Sequence, residues 1–161
     1  MNKTRNDLPE RTRLKMVELL NARLADAVDL LTQVKSAHWN VKGANFIALH
    51  RLFDEVHDTV ESAMDDLAER AAQLGGVALG TARIAAKSSN LKEYPLEIVS
   101  GIDHVEALAD RLAAFGKLIR ESIDTADKAG DTGTADVFTE ISRAMDKMLW
   151  FVESHAHGGK E

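Results

Sequence analysis

Residues 38–69 read HWNVKGANFIALHRLFDEVHDTVESAMDDLAE. Five side chains in this stretch can bind a metal, and they fall at fixed steps: His38, His50, Asp54, Asp65 and Glu69. From His50 onward the stretch has helical periodicity. At 100° per residue, with His50 at zero, Asp54 falls near ~40°, Asp65 near ~60° and Glu69 near ~100°. His57 and Glu61 share that band, near ~340° and ~20°. Leu49, Leu52, Phe53, Val56, Val60, Met64 and Leu67 fill a separate band, roughly 200–320°. The helix therefore has an apolar core face and a narrow face of His, Asp and Glu.

The rise along the axis limits what the second face can do. His50 and Asp54 are one turn apart, about 6 Å, and can share an ion, as can Asp65 and Glu69. Asp54 and Asp65 are about 16 Å apart on a straight helix. One copy cannot close these four ligands on one ion, but an antiparallel second copy can. A two-fold axis near Thr59–Val60 brings His50 and Asp54 of one chain to Asp65 and Glu69 of the other, and the isologous dimer makes two sites at once. His57 and Glu61 then lie near the axis. The plain alternative for the band is a solvated acidic face.

The chain has 161 residues and a formal net charge of -6. That is one domain (1–161), long enough for a sizeable core, and not an overall electrostatic footprint for nucleic acid. It contains no cysteine, so any metal must be held by N and O ligands, which suits iron, manganese or zinc. Only 2 prolines are present, and the Leu, Ala, Asp, Glu and Arg bias reads as all-α. No apolar h-region opens the chain and no stretch is long enough to span a membrane, so the cytoplasm is the expected location.

Lys3, Arg5, Arg11, Arg13 and Lys15 make a mildly basic start, with residues 1–8 expected as a flexible tail. It is an arm that touches DNA phosphates or, the better-supported choice, a solvated tail. The first helix is expected from about Pro9 to about Trp39, with a seam of Val17, Leu20, Leu24, Ala27, Leu31 and Val34 that His38 continues. A His ending one helix and a His early in the next can meet across a hairpin. Gly43 is the expected stop and Asn45 the N-cap of the second helix, which runs to Leu74.

Residues 77–99 break the pattern and read as a long crossover with a short helix inside, letting the second and third long helices run in the same direction. The third should span about Ser100 to Lys128, on Val105, Leu108, Leu112, Phe115, Ile119 and Ile123. The fourth should span about Ala135 to Glu153, on Val137, Ile141, Met145 or Ala144, Met148 and Phe151 or Val152. Trp150 lies at a subunit contact or packs inside. Residues 155–161 are expected as a flexible tail. Four long helices with one crossover make a ferritin-like four-helix bundle.

An ordinary ferritin or di-iron oxygenase would carry Glu-x-x-His pairs, and none is present. The run His38-Trp39-Asn40-Val41-Lys42-Gly43, with Phe46, His50, Asp54, Asp65, Glu69 and Gln73-Leu74-Gly75-Gly76, instead resembles the Dps family, the DNA-binding proteins of starved cells or mini-ferritins. The late Leu149-Trp150-Phe151 extends the resemblance over nearly the whole chain. It implies a hollow dodecamer that oxidises Fe²⁺ with hydrogen peroxide at two-fold interfaces, stores the ferric mineral and protects DNA. His38, His50 and Asp54 would come from one subunit and Asp65 and Glu69 from its partner. These five would be the catalytic and metal ligands of a ferroxidase, for at most two irons per site, with zinc as a substitute. Trp39 would either give an electron to an escaping radical or simply pack. Asp124, Asp127, Asp131 and Asp136 would line an acidic pore, or form a solvated loop. The competing reading is a DNA-compacting, nucleoid-associated protein with secondary iron chemistry.

Overall fold

The computed structural model describes residues 1–157 and contains five helices: α1 (Glu10–Asn40), α2 (Phe46–Gln73), α3 (Ala82–Ser88), α4 (Gly101–Lys128) and α5 (Thr132–Glu153). α1 packs along α2 and α4 along α5, and these two hairpins lie against each other through α1–α4 and α2–α5 contacts. This is the four-helix bundle with a crossover helix that the sequence leads one to expect, and α3 lies against α1.

Two cross-links show that α2 and α4 run in the same direction. At their starts the Lys42 amide donates to Val99 O at 3.2 Å, beside a parallel bridge between Lys42 and Ser100. At the far end the Arg70 guanidinium reaches Asp131, in the turn after α4, at 2.9 Å.

The helix ends follow from local chemistry. Pro9 sits just before α1 with non-helical ψ, so the helix starts one residue later than expected. Ser100 caps α4 by accepting from the Asp103 amide. Asp131 caps α5 by accepting from the Thr134 amide, which starts that helix three residues before Ala135. Asn45 holds the position before α2 without a side-chain cap bond. Gly43 lies beyond the end of α1, in the connection, at φ 112.

The end of α2 depends on two glycines. Gly75 has φ 84, and a Cβ there would lie 2.8 Å from Asn2 O; the Asn2 amide bonds to Gly75 O at 2.7 Å. A Cβ on Gly76 would fall 2.5 Å from Val17 Cγ1. The start of the chain thus pairs with the end of α2.

Phe53, Phe115 and Phe138 occupy the centre with Met16, Leu20, Leu24, Leu30, Leu49, Leu67, Leu108 and Leu112. The α1 seam is rotated slightly from the expected one: Met16 and Leu30 are fully buried, whereas Val17 and Leu31 are partly so. In α5, Phe138 takes the inner place expected for Val137, because steps of 3 and 4 back from Ile141, Met145, Met148 and Val152 reach it.

Polar groups hold the crossover down. Buried Asp26 accepts from the Asn90 amide at 2.7 Å and pairs with Arg23 at 2.9 Å. Arg111 donates to Lys92 O at 2.9 Å and Glu93 O at 2.8 Å. The Tyr94 hydroxyl lies 2.7 Å from buried His104 Nδ1. Burial pushes the Tyr94 pKa up. It pushes the His104 pKa below its ordinary 6.5, against the opposing charge of Asp103.

In the unfolded chain His104 takes up a proton near 6.5, while in the fold it resists one. Its contribution to stability is therefore intact above that pH and is lost as pH falls through the ordinary value toward the depressed one. Thermal melting followed from about pH 7.5 to about pH 5 should show a falling Tm, and His104→Gln should flatten that fall.

Candidate metal centre

His38 closes α1 and His50 lies near the start of α2, and the five-residue connection sets their rings face to face, centroids 3.7 Å apart and planes 24° apart. His38 Nδ1 donates to His50 O at 2.7 Å, and His50 Nδ1 donates to His38 O at 3.0 Å. A carbonyl can only accept, so each Nδ1 carries a proton, and in the neutral ring the Nε2 lone pair is left for a ligand. Carbonyl-anchored imidazoles of this kind are what a metal-binding histidine needs, since the anchor fixes both tautomer and ring orientation.

Asp54 follows one turn after His50. Its Oδ1 lies 3.3 Å from His38 Nδ1 and 2.6 Å from Lys35 Nζ. The Lys35 hydrogen bond is the main reason its carboxyl stays below the usual carboxylate range, helped by the charges of His38, Lys35 and His50. The carboxylate is half exposed, so an arriving cation can reach it. Lys35 is a component the sequence reading did not include. The available signal was its position three residues before His38, on the same helix face.

Three of the five expected ligands thus stand together. Asp65 and Glu69 lie on the far half of α2, both exposed, and do not join them within this chain. Beside Asp65, Asp66 has its carboxyl pushed up by burial and by the charges of Glu140 and Asp65.

The remaining expected residues divide clearly. Trp39 is 68% exposed and Trp150 64% exposed, so neither indole packs inside the chain. Trp150 leans on Phe151, with ring centroids 5.1 Å apart. Asp124, Asp127 and Asp136 are exposed around the α4–α5 turn. Asp131 is 2% exposed. It bonds Thr134 through its amide and hydroxyl and pairs with Arg70, so its carboxylate is committed to the fold. No helix among the described residues is long and apolar enough to cross a membrane.

A bundle of two helical hairpins joined by a crossover is the architecture of a ferritin-like protein, and comparison with known proteins agrees. A family model described as the ferritin-like domain matches residues 17–160. The DNA protection during starvation protein of Agrobacterium fabrum is 44% identical over 96% of this chain and 95% of its own length. DpsA14 from Streptomyces coelicolor superimposes with a TM-score of 0.91 at 31% identity, covering 97% of this chain and 92% of its own. Mycobacterium smegmatis Dps gives a TM-score of 0.92 at 28% identity, covering 99% and 96%. The chain belongs to the ferritin-like family and, within it, to the Dps proteins.

The Lys35–Asp54 pair competes with any cation for the same carboxylate oxygen. Lys35→Met should therefore bind Co²⁺ several-fold more tightly than the parent chain in calorimetric titration. Weaker binding would show instead that the ammonium orients Asp54 for the ion.

Proposed function

We propose that this protein oxidises Fe²⁺ with hydrogen peroxide, stores the ferric product inside a homo-oligomeric shell and thereby protects DNA from oxidative damage. One observation carries this reading. α2 bears His50 and Asp54 at its start, joined by His38 of α1, and one pair of carboxylates, Asp65 and Glu69, about 16 Å further along the same face. His38, His50 and Asp54 of one subunit with Asp65 and Glu69 of another make a set of two imidazoles and three carboxylates. The relatives' name, DNA protection during starvation protein, supports the outcome.

In this scheme Fe²⁺ is the substrate. Two neutral Nε2 atoms and three carboxylates hold it without filling its coordination sphere. The three negative charges favour Fe³⁺ over Fe²⁺, because the attraction grows with the charge of the ion. Two Fe²⁺ ions give one electron each to one hydrogen peroxide, whose O–O bond breaks to leave two hydroxide ions and two Fe³⁺. Both electrons are used as a pair, so no hydroxyl radical is released. Hydrolysis of Fe³⁺ then yields ferric oxyhydroxide and protons. Trp39, next to His38, stands where it can reduce a stray oxidant. Zinc fits the same N and O donors and would compete with iron.

The second reading, direct DNA binding, draws on the exposed Lys3, Arg5, Arg11 and Lys15 at the start of the chain. A gel shift that is present at low salt and fades at moderate salt would support phosphate contacts by this arm, and no shift at low salt would remove DNA as a direct partner.

The central test is anaerobic Fe²⁺ loading followed by peroxide, read by ferric absorbance. His50→Ala/Asp54→Ala and Asp65→Ala/Glu69→Ala should each slow oxidation at least about tenfold. Mixing the two variants with subunit exchange should restore part of the rate, because one of the two sites at each hybrid interface regains a complete ligand set. Wild-type oxidation no faster than in buffer would end the ferroxidase reading.

We further propose Asp124, Asp127 and Asp136 as the acids of an iron inlet, with Asp131 holding their turn in place. Asp124→Asn/Asp136→Asn should slow iron uptake and leave the urea midpoint unchanged. Asp131→Asn should instead cost about 3 kcal/mol of stability, since it breaks a largely buried ion pair.

A further inference from the structure

Midway along the ligand-bearing face of α2 stands a second group of donors, His57, Asp58 and Glu61. One ligand atom from each lies within 4.8 Å of the others. His57 Nδ1 is 3.3 Å from Asp58 Oδ1. Neighbouring residues on a helix point about 100° apart, so this approach requires both side chains to turn toward each other. Glu61 lies one turn after His57, on the same side. In the single chain the His57 side chain is only 19% exposed while that of Asp58 is 78% exposed, so the imidazole is held against the helix and the carboxylate is free to turn to a ligand. In the two-fold arrangement proposed above the group lies beside the axis.

The charges around the group are unbalanced. Among the described residues, His57 is the only ion-pair partner of Asp58, and Glu61 has none. A cleft lined by Asp58, Glu61, Ser62, Met64 and Asp65 opens beside them.

We propose that His57, Asp58 and Glu61 form a second site for a divalent transition-metal ion, separate from the centre at His38, His50 and Asp54. Two carboxylates balance the ion's charge, and the imidazole selects transition metals over Mg²⁺ or Ca²⁺. Three protein donors leave positions for water or for a further ligand. Asp58 follows Asp54 by about 6 Å along the axis, and Asp65 follows Glu61 by the same step. The site thus lies between the two halves of the ligand set. That it holds iron in passage rests on the function proposed above; that it binds a metal does not.

The test uses the full chain and Co²⁺, followed by calorimetry and visible absorption. In a His38→Ala/His50→Ala background, which lacks the imidazoles of the other centre, one Co²⁺ per chain should still bind. Adding His57→Ala should weaken that binding at least about tenfold, and Glu61→Gln should weaken it similarly. His38 and His50 tie α1 to α2, so a second variant avoids disturbing the fold: His57→Ala alone should lower the Co²⁺ stoichiometry of the otherwise unaltered protein by one per chain. The proposal is overturned if the stoichiometry is unchanged by His57→Ala, or if the background variant folds and binds no Co²⁺. Wild-type oxidation of Fe²⁺ by peroxide no faster than in buffer, with Co²⁺ binding at His57 intact, would end the ferroxidase reading and leave this site standing.

Discussion

Two carbonyl oxygens fix the geometry of the α1–α2 pair: that of His38, bonded by His50, and that of His50, bonded by His38. The His38 carbonyl lies in the last turn of α1, where the helical ladder leaves acceptors unpaired, and the His50 bond satisfies it. Each bond also sets a tautomer. Structure and chemistry therefore share the same atoms, and the five-residue connection between the helices must have the length and path that let both bonds form. Gly43, at φ 112, supplies the backbone conformation a side chain would resist there.

From that anchor the rigid rise of α2 dictates the rest. Its core face, through Leu49, Phe53, Val56, Val60 and Leu67, is buried in the bundle. Its other face cannot bend Asp65 and Glu69 back to His50 without breaking the helix and that core. Lys35 meanwhile neutralises Asp54 in the single chain. The starting half of the face is thus charge-balanced by a residue from α1, while Asp65 and Glu69 on the far half have no ion-pair partner among the described residues.

Much of this was legible in the sequence because it is local. Helical periodicity separated the core face of α2 from its ligand face, and the spacing of His38 and His50 about a short connection indicated that they meet. What the sequence did not show depends on register between elements. The Lys35–Asp54 pair exists only because α1 and α2 pack at one particular offset. Asp131 reads as one more acid beside Asp124, Asp127 and Asp136, since a count of charges carries no depth; its burial follows from Arg70 arriving 61 residues earlier in the chain. Phe138 displaces Val137 inward because the phase of α5 is set by its far end. The path of the crossover was not legible, because it is held by polar bonds to side chains on other helices, Asp26, Arg111 and His104.

The placement of the indoles gives the molecule an optical property. The chain has 2 tryptophans, and both Trp39 and Trp150 project from the surface, while the interior is built from phenylalanine, leucine and methionine. Intrinsic emission therefore samples the outside of the bundle. Association of subunits over either indole would shift the emission toward shorter wavelength, and local loosening of the core would leave it almost unchanged. The protein's own fluorescence is thus a gauge of assembly rather than of interior packing.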